Sequence, residues 1–212
     1  MEFTGFEDRD FAVFSVPGLE ARMEALIAQV RPKLEQLGRD FTPFLSELWE
    51  QPVYAHVAKH ARRTVNPPND TWVAFCPDKR GYKKHPHFQI GLWGTHVFAT
   101  FGLIYESPLR MHYARQLRVH AQEVLAQVPK SWVFIPNHMD PAAISATEVD
   151  EAKLVRLTER LEGRQGELLV GLRLERAEAV ELTAAQFEQT VRECFLDVKP
   201  LLRLTQTEVT AV

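Results

Sequence analysis

The chain has 212 residues, of which 45% are hydrophobic and 25% charged, and its formal net charge at pH 7 is −3. This composition describes a globular protein and excludes disordered and fibrous classes, while the acidic balance argues against a dedicated DNA-binding protein. No apolar run approaches the roughly 18 residues of a membrane span, and the acidic start MEFTGFEDRDF lacks the basic and apolar regions of a signal peptide. Because the two cysteines lie in unrelated segments without metal-type spacing, we expect a reduced, cytoplasmic protein with one globular domain over residues 1–212.

The first fifty residues predict one short strand and two helices. The stretch DFAVFSV at residues 10–16 is typical of a strand. Apolar residues at helical spacing predict a helix over residues 19–31, and a second helical pattern covers residues 34–48 with an interruption at Gly38. Pro32, which lies between these patterns, would kink the first helix or start the second.

Residues 53–63 are compatible with two structures. The alternation of Val53, Ala55 and Val57 with other side chains favours a strand, whereas the Ala, Lys and Arg content favours a helix. We prefer the strand. The run NPPND that follows predicts an ordered turn, because consecutive prolines cannot continue a strand ladder, and it leads into a strand over residues 71–76.

The clearest unit is a β-hairpin over residues 87–105. Its strands flank Gly94-Thr95, a two-residue loop with glycine at the first position, as a type II′ turn requires. This register separates the side chains of the hairpin into two sets. The predicted core face holds Phe88, Ile90, Leu92, Val97, Ala99 and Phe101. The opposite face, which is too aromatic for solvent and too polar for a core, holds His87, Gln89, Gly91, Trp93, His96, Phe98 and Thr100.

The second half of the chain alternates helices and strands. Periodicity predicts a helix over residues 109–128, a strand over 132–135, a helix from Thr147 to Leu161, a strand over 167–175 and a last helix that a capping box opens at Thr183. Hairpin strands mixed with helical crossovers indicate an α+β fold, with one largely antiparallel or mixed sheet of about six strands and helices packed against it.

Positive charge is concentrated in the middle of the chain. Residues 51–139 hold 11 Lys and Arg against 4 Asp and Glu, a net charge of +7 between two acidic flanks. Such a local field attracts anions, and guanidinium and ammonium groups suit phosphate or carboxylate oxygens. The predicted anion-binding residues are Lys59, Arg62, Arg63, Arg80, Tyr82, Lys83 and Lys84. One alternative is that these residues are ordinary solvated surface charges. Another is that Arg62 and Arg63 donate hydrogen bonds to backbone carbonyls and thereby stabilise the turn.

The histidines of the same region are the catalytic candidates. His56, His60 and His87 are titratable groups that could serve as general acid or base. On a helix His56 and His60 would lie on one face within reach of one metal ion, whereas on the preferred strand they would lie about 13 Å apart. Since a metal site also needs three or four ligands, no metal site is predicted. His138 and Asp140 form either an acid–base pair or a polar turn. The sequence holds no P-loop, dinucleotide fingerprint or nucleophile elbow, and no cofactor is predicted.

Two classes of function follow from these residues. The first is a small-molecule site for a nucleotide or another phosphorylated ligand, and whether such a site is enzymatic is left open. The second is a non-catalytic module that binds RNA or an acidic protein surface through the same basic patch. A single site requires the loop at residues 79–84 to fold back over the sheet, and a pocket in which the cations converge would favour the first class.

Several segments carry a resemblance to a known family. They are GFEDRDFAVF, PGLEARM, RPKLEQLG, HVAKHARRTVNPPNDTWVAF and RGYKKHPHFQIGLW, which span residues 5–94. In these segments the chain resembles the YktB-like family, also called uncharacterised protein family 0637 or domain of unknown function 1054, and the likeness continues more weakly toward Leu204. The resemblance implies a compact bacterial cytoplasmic domain and assigns no catalytic residue.

Overall fold

The fold is given by a computed structural model that describes residues 2–206. Its strands are β1 (Tyr54–Val57), β2 (Asp70–Cys76), β3 (His87–Trp93), β4 (His96–Leu103), β5 (Val133–Ile135), β6 (Ile144–Ser145) and β7 (Leu168–Glu175). Its helices are α1 (Asp8–Ala12), α2 (Leu19–Ala25), α3 (Arg31–Trp49), α4 (Arg110–Val119), α5 (Ala121–Gln127), α6 (Glu151–Glu162), α7 (Arg176–Glu181), α8 (Ala184–Asp197) and α9 (Lys199–Arg203). A π-helical turn at Leu26–Val30 joins α2 to α3, and 3₁₀ turns lie at Val13–Ser15 and Ala146–Glu148.

One antiparallel sheet organises the described part of the chain. Its seven strands follow the order β1-β2-β3-β4-β7-β5-β6, and each neighbouring pair is antiparallel. The predicted α+β fold with one largely antiparallel sheet is therefore confirmed, and the predicted number of about six strands is close to the seven observed. None of the helices in residues 2–206 has the length and apolar character that crossing a membrane requires.

The β3–β4 hairpin has the predicted register. Phe88 pairs with Phe101 across the Gly94-Thr95 turn, and both phenylalanine side chains are fully buried. The predicted type II′ conformation of this turn is wrong, because Gly94 does not have the positive φ that a type II′ turn requires. Trp49 of α3 packs on Phe88 with ring centroids 5.5 Å apart, and Phe195 of α8 packs on it at 4.8 Å. Each such aromatic side chain contributes about 1.5–3 kcal/mol on burial, so a register slip that exposed this face would be strongly unfavourable.

Helix α3 supplies the core beneath the first three strands. Its residues Leu37, Phe41 and Leu45 are fully buried. The predicted interruption at Gly38 is wrong, because the helix continues through this residue. A Cβ atom at Gly38 would lie 3.2 Å from Cβ of Ala55, so the absence of a side chain lets α3 lie close to β1.

The predicted strand over residues 10–16 is also wrong, because this stretch forms α1 and the 3₁₀ turn after it. The Asp10 carboxylate accepts a hydrogen bond from the backbone N–H of Glu7 and closes a capping box. Lys33 of α3 donates to Asp10 Oδ2 at 2.6 Å and to the carbonyl oxygen of Gly5 at 2.8 Å. The helix-start signal of the acidic residues therefore outweighs the apolar run that follows them.

Two helix predictions in the second half need correction. The helix predicted over residues 109–128 is divided at His120, whose backbone leaves the helical region, and both α4 and α5 contact α6. Asp150, and not Thr147, caps α6, since its carboxylate accepts a hydrogen bond from the N–H of Lys153 at 2.7 Å. The capping box predicted at the start of α8 is present.

The strand preferred for residues 53–63 is confirmed only over Tyr54–Val57. The rest of that segment is a loop in which His60 has a φ of 52°, a value that no strand residue adopts. The predicted strands at residues 71–76, 132–135 and 167–175 are present as β2, β5 and β7.

Candidate ligand-binding cleft

The sheet face opposite the helices carries a mostly buried set of polar and aromatic side chains. We call this set the polar face; it consists of Asp70, Trp72, His87, Gln89, Trp93, His96, Phe98 and Thr100. Strand register places Asp70 beside Trp93 at one end of the set. Parts of residues 58–69, 77–86 and 136–142 pack over the polar face, so β3 and β4 are buried on both sides.

Glycine at position 91 shapes the floor of the polar face. A Cβ atom there would lie 2.4 Å from Cζ of Phe98 and 2.6 Å from the carbonyl oxygen of Thr71. Real Cβ atoms do not approach other atoms so closely, and only glycine lets the Phe98 ring lie across β3. The floor of the polar face is therefore partly aromatic.

His87 is a fully buried member of the polar face with both ring nitrogens engaged. Its Nδ1–H donates to the carbonyl oxygen of His85 at 2.8 Å, and this fixes the tautomer, so that Nε2 accepts a hydrogen bond from the Gln89 amide at 3.0 Å. Burial lowers the pKa of His87 to about 4. The imidazole of His87, a catalytic candidate from the sequence, is therefore neutral at pH 7, with both ring nitrogens engaged.

The loop at residues 77–86 folds back over the sheet through Tyr82. The indole N–H of Trp72 donates to the Tyr82 hydroxyl at 3.1 Å, and the Tyr82 ring meets the His87 ring with centroids 4.8 Å apart. Burial raises the pKa of the Tyr82 hydroxyl. Tyr82 thus anchors the loop over the sheet and is itself partly buried.

Most of the predicted anion-binding cations lie on the surface. The side chains of Lys59, Arg62, Arg80, Lys83 and Lys84 are exposed. Lys83 forms an ion pair with Glu106 at 2.9 Å. Arg63 is the exception, because it is half-buried and lines a concavity of the protein surface. The fold-back of the loop therefore brings Tyr82 onto the sheet, while the cations of the two clusters contact different residues.

The two remaining histidine candidates also make local contacts. Nε2 of His56 donates to the carbonyl oxygen of Asp78 at 2.8 Å, and Nε2 of His60 lies 3.2 Å from the hydroxyl of Thr71. Burial, and secondarily the charge of Arg63, lowers the pKa of His60 to about 4. Within the described residues, no group of three or more His, Cys, Asp or Glu side chains has an arrangement that could hold a metal ion.

The concavity that Arg63 lines, which we call the Arg63 concavity, has a volume of about 410 Å³. It is lined by Arg22, Arg63, Asn66, Pro67, Asn69, Asp70, Trp93 and Met139. Arg63 donates from Nη1 to two carbonyl oxygens at 3.3 and 3.4 Å, both long contacts. Arg22 is held firmly, with donations to Val16 O at 2.8 Å and to Pro68 O at 3.0 Å. Burial, and secondarily the charge of Arg63, lowers the pKa of Arg22. The two guanidinium groups are therefore close enough to repel each other electrostatically.

Asp70 joins the Arg63 concavity to the polar face, since it lines the cavities on both sides. Its exposed fraction is 6%. Burial raises the pKa of its carboxyl to about 6, although the charges of His138 and Arg63 act in the opposite direction. A carboxyl with such a pKa exchanges its proton close to neutral pH, which is a property of groups in functional sites.

Residues 136–142 and the polar face enclose a narrow cleft, which we call the cleft. Its lining includes Asp70, Trp93, His96, Phe98, Thr100 and His138. The space that the centre of a water molecule can occupy in the cleft is about 20 Å³, against about 410 Å³ in the Arg63 concavity. Oγ1 of Thr100 is buried and has no hydrogen-bond partner in residues 2–206. It therefore offers a polar contact to a group that enters the cleft.

His138 is oriented by a residue that the sequence reasoning missed. Its ring Nδ1 lies 2.7 Å from Oε2 of Glu167, and its backbone N–H donates to Oε1 of the same carboxylate at 2.8 Å. Glu167 is 4% exposed and stands directly before β7. Asp140, the partner considered from sequence, instead accepts a hydrogen bond from the N–H of Ala142 at 2.9 Å. The sequence signal that could have identified this residue is an acidic side chain directly before the apolar strand β7.

A family model and individual relatives assign the chain to the same family. The model of a family described as a domain of unknown function (DUF1054) matches residues 6–202. A UPF0637 protein of Bacillus velezensis is 46% identical over 202 residues, which cover 95% of this chain and 96% of the relative. A UPF0637 protein of Bacillus licheniformis is 45% identical with the same coverage, and one of Lysinibacillus sphaericus is 45% identical over 91% of this chain and 92% of its own.

Proposed function

The chain belongs to the DUF1054 family, as its sequence segments predicted, and we propose that it binds a nucleotide or another small phosphorylated ligand, with the phosphate in the Arg63 concavity. The observation that carries the proposal is that Arg63 and Arg22 line one concavity together with Trp93. Its volume of about 410 Å³ falls within the range of small-molecule sites.

The arginines suit a phosphate group in complementary ways. The contacts of Arg63 to backbone carbonyls are long and use one nitrogen, so its guanidinium can turn to bind two oxygens of one phosphate. Arg22 is fixed by carbonyl oxygens and adds positive charge without moving. The indole of Trp93 lines the same concavity and provides an apolar surface for a base or sugar ring.

Asp70 makes the affinity of the Arg63 concavity for anions depend on pH. A bound dianion beside Asp70 would raise the pKa of its carboxyl above the value of about 6 in the free protein. Binding then takes up a proton, so the affinity for a dianion increases as the pH decreases toward that value. Sulfate is a suitable probe, because its own charge does not change in this range.

The alternative is a module that binds RNA or an acidic protein surface through the exposed cations. Tyr82 gives it limited support, since its ring packs on His87 and its hydroxyl accepts a hydrogen bond from Trp72, which leaves its side chain only partly exposed. A nucleobase platform needs an accessible aromatic face. The proposal also places the protein in the cytoplasm, where phosphorylated metabolites occur and where its two free, buried cysteines would stay reduced.

The test compares two neighbouring arginines. Calorimetry and thermal unfolding with sulfate, inorganic phosphate and AMP should detect binding to the wild-type protein. Arg63→Gln should weaken binding about tenfold or more, the loss expected for one or two charge-assisted hydrogen bonds. The matched control Arg62→Gln removes an exposed arginine and should leave the affinity unchanged.

Two results would overturn the proposal. One is the absence of binding by all three anions at concentrations of about 10 mM. The other is equal loss in both arginine variants together with tight, salt-dependent binding of a single-stranded RNA oligonucleotide, which would favour the alternative.

A further inference from the structure

The geometry of His138 points to an activity: we infer that the protein hydrolyses a phosphate ester where the cleft meets the Arg63 concavity, with His138 as the general base for the attacking water and Asp70 as the general acid for the leaving oxygen. The inference rests on the proposed function, because the phosphate of the ester would lie in the Arg63 concavity. It adds a reaction to the binding site and assigns a role to Glu167.

The first argument is the state of the imidazole. A glutamate carboxylate only accepts hydrogen bonds, so the 2.7 Å contact requires the proton of His138 to be on Nδ1. Nε2 then carries the lone pair, and it has no hydrogen-bond partner in the described part of the chain. A histidine that a buried carboxylate holds in one tautomer, with the other nitrogen free, is the arrangement of a general base.

The second argument is the position of the His138 ring relative to the Arg63 concavity. His138 and Asp70 both line the cleft, and Asp70 also lines the Arg63 concavity. A phosphate held by Arg63 therefore borders Asp70, and His138 faces the cleft that Asp70 shares with the Arg63 concavity. The cleft has room for the centre of a water molecule within about 20 Å³, about the smallest volume that holds one water. The hydroxyl of Thr100, which has no partner in residues 2–206, can bind such a water.

The third argument is that the two titratable groups face different environments. Asp70 is buried, and this burial raises the pKa of its carboxyl to about 6, so it retains a proton more readily than an ordinary aspartate. The imidazole of His138 instead contacts Oε2 of Glu167 at 2.7 Å. The charged and titratable groups that line the same cavities as His138 are Asp70, His96, Tyr105, Asp140, Arg160 and Glu167, and the charge of His138 also acts on His87. Of these, Glu167 alone contacts its ring nitrogen.

The reaction balances without a co-reactant other than water. Nε2 of His138 takes a proton from water as the water oxygen bonds to phosphorus. The bond between phosphorus and the ester oxygen breaks, and protonated Asp70 gives its proton to that oxygen. The products are an alcohol and phosphate, and the proton on His138 returns to Asp70 through solvent. The guanidinium group of Arg63 stabilises the negative charge that develops on the phosphoryl oxygens in the transition state.

The experiment uses p-nitrophenyl phosphate as a monoester probe and bis-p-nitrophenyl phosphate as a diester probe. We expect the wild-type protein to hydrolyse one of them. His138→Gln should lower kcat about 100-fold or more while the affinity for sulfate stays the same. The matched control is His120→Gln, because His120 forms a comparable pair with Glu123 at 3.1 Å on the exposed surface, and it should leave kcat unchanged.

Glu167 is a positioning residue in this scheme, and its test needs a readout that a structural role would not change. The ¹⁵N chemical shifts of the His138 ring should show a proton on Nδ1 in the wild-type protein. Glu167→Gln should shift the ring toward the other tautomer and lower kcat about tenfold or more. If Glu167→Gln does not fold, as judged by circular dichroism, His138→Gln decides the question.

The outcomes separate this inference from the proposed function. Binding of sulfate at Arg63 without hydrolysis of either ester overturns the inference and leaves the proposed function in place. Hydrolysis that persists in His138→Gln also overturns it. Absence of both sulfate binding and hydrolysis would defeat the inference and the proposed function together.

Discussion

Gln89 donates a hydrogen bond to Nε2 of His87 at 3.0 Å, inside the buried polar face of the sheet. The bond exists only while His87 is neutral, because a protonated Nε2 has no lone pair to accept it. The other ring nitrogen is engaged by the carbonyl oxygen of His85 at 2.8 Å. The histidine thus stabilises the interior at neutral pH and opposes folding when it must take up a proton.

The first prediction concerns acid unfolding. Burial lowers the pKa values of His87 and His96 from 6.5 to about 4. The unfolded chain binds more protons than the folded protein between these two values, so stability is highest above 6.5 and decreases as the pH falls toward 4. Each histidine should account for a loss of about 3 kcal/mol, measured by urea unfolding over this pH range.

Replacing one of these histidines provides the control. His87→Gln keeps a polar side chain that cannot titrate, so the decrease in the free energy of unfolding across this range should be smaller than in the wild-type protein. A pH dependence identical to that of the wild-type protein would contradict the assignment of a neutral, buried His87.

The second prediction concerns Asp70. Burial raises the pKa of its carboxyl from 3.8 to about 6. For an acid with a raised pKa in the folded state, the stabilising contribution is present below the unfolded value and is lost as the pH rises through the folded value. Asp70→Asn should therefore increase the free energy of unfolding by about 1–3 kcal/mol at about pH 8.

The same substitution should have little effect at about pH 4, where the wild-type carboxyl is largely protonated when folded. Urea unfolding at the two pH values checks both statements. Destabilisation by Asp70→Asn at the higher pH would show that the ionised carboxylate gains more from Arg63 than it loses by burial.

The sequence predicted the hairpin and its unusual face well, for a physical reason. Strand side chains alternate between faces, so the positions of Phe88 and Phe101 also place His87 and Gln89 on the opposite side once the turn is identified. The turn itself has a local signal in Gly94. Everything within about ten residues of this turn could be derived from local rules.

The pairing of His138 with Glu167 could not be derived in this way. The two residues are 29 positions apart, and they meet because β5 and β7 are neighbours in the sheet. Sequence periodicity gives the strands but not their order. The charge count does not distinguish an exposed lysine such as Lys84 from the half-buried Arg63, because it carries no information on burial.

The third prediction concerns the N-terminal helix. The Asp10 side chain is fully buried, and Lys33 holds it at 2.6 Å. Lys33→Met would leave a buried carboxylate without its counter-charge and should lower the free energy of unfolding by about 3–5 kcal/mol. Lys83→Met is the matched control, because its ion pair with Glu106 is largely exposed, and it should cost less than about 1 kcal/mol.

A double variant sharpens this prediction. Adding Asp10→Asn to Lys33→Met removes the uncompensated charge, so it should restore part of the lost stability. Equal effects of the two lysine substitutions, measured by urea unfolding, would indicate that the α1–α3 contact is as weak as a surface ion pair.

The fourth prediction concerns the aromatic floor of the polar face. A Cβ atom at position 91 would lie 2.4 Å from Phe98, 2.6 Å from the carbonyl oxygen of Thr71 and 2.7 Å from Cβ of Trp72. The Phe98 ring can rotate away, but the backbone of β2 cannot move without disturbing its ladder with β3. Gly91→Ala should therefore lower the free energy of unfolding by about 1–3 kcal/mol or more. Gly81→Ala is the control, since no atom lies within 4 Å of its added methyl group, and its effect should stay within about 0.5 kcal/mol. Equal stability of the two variants in urea unfolding would mean that β2 and β3 tolerate a wider separation than the sheet shows.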